Sequence, residues 1–191
     1  MSIEFLQKAT PNILTSFRCL SALIIPLLVI YGDEIGARLA PMIFIIAGIT
    51  DYFDGYFARK FNVISNFGKI IDPVADKMLV IGTLFALGSE NFFDYYYTFI
   101  PAFIIILREI FITGLREQVS KDKINLNVSM LAKWKTTIQL IACSSYLVWR
   151  SDSFLFKSIF VEYTCIFLLW MAAFITVITC YDYLKKVWEH L

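Results

Sequence analysis

Histidine is almost missing from this sequence. The one His in 191 residues is His190, beside the last position, and it is set aside as a catalytic group. Cysteine is also sparse. Cys19, Cys143, Cys165 and Cys180 have no C-x-x-C spacing and stand in apolar stretches. Neither a disulfide framework nor a zinc site is expected from them, and they read as small apolar residues in helices. Charged residues make up only 17% of the chain against 59% hydrophobic, with a mean hydropathy of +0.69. Those values exclude an ordinary soluble domain and point to an integral membrane protein. Low-complexity tracts and internal repeats are absent. The first apolar run begins near Ile13, contains Arg18 and lacks an A-x-A site, so it reads as a retained span rather than a cleaved leader. No nucleic-acid partner is expected.

What the chain has is long apolar runs. A span needs ~20 residues, and six such runs use most of the length. They are expected at 12–31, 38–57, 70–87, 98–115, 133–149 and 158–181, after a short interfacial segment at 1–11. The expected fold class is an all-α integral membrane protein with six transmembrane helices, in one membrane domain covering 1–191. The aromatic-rich stretch GSENFFDYYY, which has no basic residue, reads as an interfacial belt. Lys and Arg give the orientation. Assigned to the nearer side, fourteen fall with the termini and three (Arg38, Arg150, Lys157) on the other. The bias predicts that both termini are cytoplasmic.

Residues 51–76 read DYFDGYFARKFNVISNFGKIIDPVAD, with apolar runs on both sides. Asp51 and Asp54 are i,i+3 and Asp72 and Asp76 are i,i+4, so each pair shares a helix face. Two helix ends can then aim four carboxylates into one cavity. Ionised groups at such depth are costly and are kept mainly where they work. Four bare negative charges would repel strongly at low dielectric, so either some are protonated or cations lie between them. Oxygen-only ligands favour Mg2+ or Mn2+, and four carboxylates suit two ions. Gly55, one turn from Asp51, leaves the carboxylate face without a side chain, so a flat ligand can approach. Arg59, a turn further, offers a forked donor to a phosphate. Gly68 is expected to relax the loop before the next helix. The plainer alternative is that these aspartates cap helix ends in water.

The pattern D-x2-D-G-x2-A-R-x8-G-x3-D-x3-D is met by Asp51, Asp54, Gly55, Ala58, Arg59, Gly68, Asp72 and Asp76. It resembles the signature of the CDP-alcohol phosphatidyltransferases. The resemblance implies that the aspartates hold two metal ions, that Asp76 is the general base and that the protein is a homodimer. It further implies that Asp51, Gly55 and Arg59 face CDP. The opening PNILTSFR is similar to the glycerophosphate-using branch of the family, where polar residues of the first helix join the cavity. That makes Asn12 and Thr15 CDP-site candidates. Arg18 is i,i+3 from Thr15 and either belongs to that face or snorkels to lipid headgroups.

A second group of charges follows. Arg108 and Glu109 lie well inside the fourth apolar run, and Arg116 is two turns on from Arg108. Lys133 and Lys135 open the fifth. A cation cluster there wants an anion. For Arg108 that anion is either a neighbouring carboxylate such as Glu109 or a phosphate on a soluble substrate. For the lysines it is either lipid phosphate or that same substrate. The fragments R-E-x5-L-R-E and K-W-K-T-T-x-Q again resemble the glycerol-phosphate-using branch. The resemblance implies transfer of a phosphatidyl group from CDP-diacylglycerol to sn-glycerol 3-phosphate, with Arg108, Arg116, Lys133 and Lys135 holding the acceptor phosphate. Its setting would be the bacterial cytoplasmic membrane among membrane lipids, with the site facing the cytoplasm. The alternatives are the same chemistry with inositol phosphate or phosphatidylglycerol as acceptor, or a divalent-cation transporter. Against transport, the acidic residues expected toward the far side sit in loops, so no ion path continues across.

Overall fold

A computed structural model describes residues 3–61, 66–88, 96–121, 130–151 and 158–189. Within these ranges it describes all side chains but those of 3–11, 52–61, 66, 67, 69, 96, 120, 121, 130, 132 and 133. The described residues are all-helical: α1 (Ile3–Tyr31), α2 (Glu34–Phe61), α3 (Asn66–Gly88), α4 (Tyr96–Lys121), α5 (Met130–Arg150) and α6 (Ile159–Trp188).

The helices overrun the apolar stretches that locate them. The segment expected to lie apart at the interface is continuous with α1, which starts at Ile3 and passes through Pro26 without a break. α4 continues through Lys121, so Arg116 stands on a helix, and the tail YLKKVW is the last part of α6. Hydrophobicity marks the part of a helix that can sit in hydrocarbon, whereas the hydrogen-bond ladder runs on until something stops it. At 1.5 Å per residue, the 30-residue α6 spans about 45 Å, beyond a hydrocarbon core of about 30 Å. The stops that are visible are capping groups. Asp33 accepts the Ile35 and Gly36 amides at 3.1 Å and starts α2, which narrows the gap expected between the first two spans to Gly32 and Asp33. The Ser158 hydroxyl accepts from the Phe160 amide to start α6.

α1 packs against α2 and α3, and α6 packs against α4 and α5. These two three-helix groups meet through α2–α5, α3–α5 and α3–α4 contacts. The common core mixes Ile25, Phe44, Leu79, Leu84, Ile105, Leu147 and Leu169 with alanines at 22, 40, 47, 86, 102, 142, 172 and 173. Small residues at helix crossings let backbones come close, the packing that membrane helices rely on when lipid is as apolar as the core.

Among the described residues three helices, over Asn12–Tyr31, Tyr97–Val119 and Ile159–Trp188, are long and apolar enough on their own to cross a membrane. α2, α3 and α5 contribute Asp51, Asp72 with Asp76, and Lys135 with Gln139 to the two clusters. They still turn large apolar side chains outward: Ile45, Ile46 and Ile49 on α2, Ile70, Val74, Met78 and Phe85 on α3, Trp134 and Ile141 on α5. A surface of this kind is suited to lipid.

α3 comes close to the α1 backbone at Gly82. A Cβ there would stand 3.3 Å from the Ala22 carbonyl oxygen and 3.5 Å from Pro26 Cγ. Pro26 has no amide hydrogen to offer the carbonyl four residues earlier, which is that of Ala22. The freed oxygen therefore looks out of α1 at the place where α3 has no side chain. Gly82→Val is expected to lower the melting temperature in detergent by about 5 °C through overpacking. Gly114→Ala, inside α4 at a position where a Cβ meets nothing within 4 Å, is expected to raise it by a few degrees instead, through helix propensity alone.

Candidate functional site

One face of α1 carries Thr15, Arg18, Ala22, Ile25 and Val29, all buried and spaced by threes and fours. Its apolar end enters the core. Its polar end meets the aspartates. Arg18 has no exposed surface. Its Nη1 donates to Asp76 Oδ1 at 2.9 Å and stands 3.0 Å from Asp51 Oδ1 and 4.0 Å from Asp72 Oδ1. Thr15 donates its hydroxyl to Asp72 Oδ1 at 2.6 Å. Three helices thus deliver one cation and three carboxylates to one point. The residues at 51, 72 and 76 do converge, and Thr15 joins them. Asn12 lies half-buried near the start of the same helix, its carbonyl accepting from Ser16. Asp54, Gly55 and Arg59 fall within α2, but their side chains lie outside the described residues. Gly68 is not in the loop, as expected, but buried in the first turn of α3, because that helix already begins at Asn66.

The donor set fits a hard divalent cation. Every described carboxylate offers oxygen only, and the side chains of Asp51, Asp72 and Asp76 are 39%, 40% and 32% exposed, so they are open from outside. Among the described residues no three His, Cys, Asp or Glu side chains are grouped as metal ligands would be. Asp51, Asp72 and Asp76 are gathered about the Arg18 guanidinium instead.

The second cluster has the opposite sign at its centre. Glu109 is buried on α4 and its Oε1 accepts from Lys135 Nζ at 2.5 Å, Gln139 Nε2 at 3.2 Å and Arg108 Nη1 at 3.4 Å. Arg108 Nη2 donates to Thr179 Oγ1 at 3.1 Å, and Gln139 Nε2 reaches Thr176 Oγ1 at 3.0 Å. Arg108 and Lys135 therefore come together through a carboxylate, one of the two partners weighed for Arg108. Arg108 Nε is buried without a hydrogen-bond partner among the described residues. Arg116 stands apart, exposed, with its guanidinium 5.5 Å from the centre of the Tyr183 ring. The side chain of Lys133, on α5, lies outside the described residues. Lys77, next to Asp76, stands between the clusters. It feels the charges of Glu109 and Asp76 on one hand and Arg116 and Arg108 on the other.

Arg18 is not a snorkelling side chain, and its i,i+3 relation to Thr15 is the signal in the sequence for a shared buried face. Gln139, which closes the K-W-K-T-T-x-Q fragment, faces Glu109 and Thr176. Thr176 and Thr179 repeat the i,i+3 spacing on α6, which otherwise reads as featureless.

The model of a protein family described as CDP-alcohol phosphatidyltransferase matches residues 8–179. A protein of Rickettsia prowazekii is 38% identical over 181 residues, covering 94% of this chain and 96% of its own length. Proteins of Haemophilus influenzae and Bacillus subtilis are each 38% identical, over 180 and 166 residues, covering 92% and 84% of this chain. All three carry the name CDP-diacylglycerol--glycerol-3-phosphate 3-phosphatidyltransferase.

Removing the central anion of the second cluster leaves buried cations facing each other. Glu109→Gln is expected to destabilise the protein by about 3 kcal/mol, the usual scale for breaking a buried pair. Adding Lys135→Met should restore part of that loss. Thermal unfolding of the single and double variants in detergent measures the coupling.

Proposed function

This chain belongs to the CDP-alcohol phosphatidyltransferase family, and from that membership we propose that it transfers the phosphatidyl group of CDP-diacylglycerol to sn-glycerol 3-phosphate, giving phosphatidylglycerophosphate and CMP in glycerophospholipid synthesis. The observation that carries the reading is the meeting of Asp51, Asp72 and Asp76 at one point, in a chain whose relatives carry this activity in their names.

In this reading Asp51, Asp54, Asp72 and Asp76 hold two divalent cations, Mg2+ or Mn2+. Bound there, such ions neutralise a diphosphate and stabilise charge on a leaving oxygen. Asn12, Thr15, Asp51, Gly55 and Arg59 form the CDP side, with Gly55 allowing close approach and Arg59 supplying charge. Arg108, Arg116, Lys133 and Lys135 hold the phosphate of the acceptor. The buried Nε of Arg108, without a hydrogen-bond partner among the described residues, supports this, because such a donor gains from an incoming oxygen. The primary hydroxyl of the acceptor attacks the phosphorus that bears diacylglycerol. Its proton passes to Asp76, and the bond to the CMP oxygen breaks. Lys77 lies within electrostatic reach of both Asp76 and Glu109, so the two substrates would approach from adjoining clusters.

The setting we propose is the bacterial cytoplasmic membrane. There the chain is one membrane domain of six spans and forms a homodimer, with both termini and the aspartates facing the cytoplasm. The excess of Lys and Arg on the side of the termini supports that orientation.

Purified protein in detergent with CDP-diacylglycerol and Mg2+ is expected to release CMP with sn-glycerol 3-phosphate. It should not do so with inositol phosphate, serine or phosphatidylglycerol. Release with another acceptor would keep the aspartate chemistry and discard the acceptor assignment. Asp76→Asn should cost about a hundred-fold or more in turnover while the melting temperature stays near that of the parent. Arg108→Ala should raise the acceptor KM about ten-fold and leave that for CDP-diacylglycerol nearly unchanged. An equal rise in both would remove Arg108 from the acceptor site.

A further inference from the structure

The aspartate site is arranged around a charge that belongs to the chain itself. Arg18 is wholly buried, and one of its nitrogens, Nη1, faces single oxygens of Asp51, Asp72 and Asp76. A guanidinium without counter-charge would be costly at this depth, and so would three converging carboxylates without a cation. Each solves the problem of the other. The carboxylates also belong to different helices, Asp51 to α2 and Asp72 and Asp76 to α3, while Arg18 and Thr15 belong to α1. The contact therefore fixes how three helices meet, and not only how four side chains are charged.

We infer that Arg18 is the internal counterion of the metal site, a positioning residue that holds Asp51, Asp72 and Asp76 together when no divalent cation is bound. The inference rests on the metal reading under Proposed function and adds a role that the aspartate pattern does not assign. Two consequences distinguish it from simple packing. Metal and guanidinium serve the same carboxylates, so each makes the other less necessary. The guanidinium also repels an incoming cation, so it lowers metal affinity while it preserves the geometry. The site thus trades tight binding of the ion for a folded state that exists without it.

The test uses the full chain in detergent and two readouts other than turnover: Mn2+ binding by calorimetry, and melting temperature in EDTA or Mg2+. For the parent protein, EDTA should change the melting temperature little. Arg18→Gln should melt on the order of 10 °C lower than the parent in EDTA. Saturating Mg2+ should recover most of that loss. Arg18→Gln should also bind Mn2+ at least about ten-fold more tightly than the parent, since a repelling charge is gone. A second variant separates charge from shape: Asp51→Asn placed on Arg18→Gln removes one of the repelling carboxylates and should raise the EDTA melting temperature. A loss of stability that is the same in EDTA and Mg2+, unrelieved by Asp51→Asn, would reduce Arg18 to a packing residue and overturn the inference. So would failure to recover Arg18→Gln in either buffer. If the parent itself takes up no Mn2+, the metal reading falls, and the counterion role falls with it.

Discussion

A charge taken out of water must meet its opposite within the protein, and that requirement organises this bundle. An unpaired buried ion costs several kcal/mol after relaxation, a large share of the stability of any domain. The described structure answers it twice, with inverted signs. At the first cluster a guanidinium is surrounded by carboxylates. At the second a carboxylate is surrounded by an ammonium, a guanidinium and an amide. The first joins α1, α2 and α3, and the second joins α4 and α5, with hydroxyls of α6 completing it. Each three-helix group is therefore closed by its own ion cluster, and the contacts of α3 with α4 and α5 bring the two clusters side by side.

The apolar packing serves the same end. Along α1 the buried face changes from Thr15 and Arg18 to Ala22, Ile25 and Val29, so one continuous stripe both carries the charge and anchors the helix that bears it. Gly82 lets α3 approach the Ala22 carbonyl, less than two turns from Asp76 along the same helix. A looser crossing there would draw the α3 carboxylates away from Arg18. Precision at the polar end depends on the absence of a side chain at the apolar one.

Much of this was legible before any coordinates. The spacing of Asp51, Asp72 and Asp76 put them on helix faces that do converge, and the six apolar runs each lie within or nearly within one of the six helices. Helix ends were less legible, because hydropathy registers lipid contact and not the hydrogen-bond ladder, so α4 and α6 run on through charged turns. Pair identity was least legible. Arg18 could snorkel or be buried, and Arg108 could meet Glu109 or a ligand. Which partner is reached depends on the register between helices distant in sequence, and Arg18 and Asp76 are 58 residues apart. The contribution of α6 escaped notice because a threonine gives no hydropathy signal. Its role appears only when a neighbouring helix presents it with a donor.

At the end of the bundle away from these clusters, Arg150 Nη2 donates to the Val29 carbonyl at 2.7 Å, tying the last turn of α5 to the last turns of α1. Val29 lies eleven residues, about 16 Å along the helix, from Arg18. This is a strap between the two three-helix groups, made by the Arg150 side chain to a backbone atom and so indifferent to which side chain stands at 29. The seam between the groups is thus latched by a directional bond at the end far from the aspartates, while α3 meets α4 and α5 through helix packing.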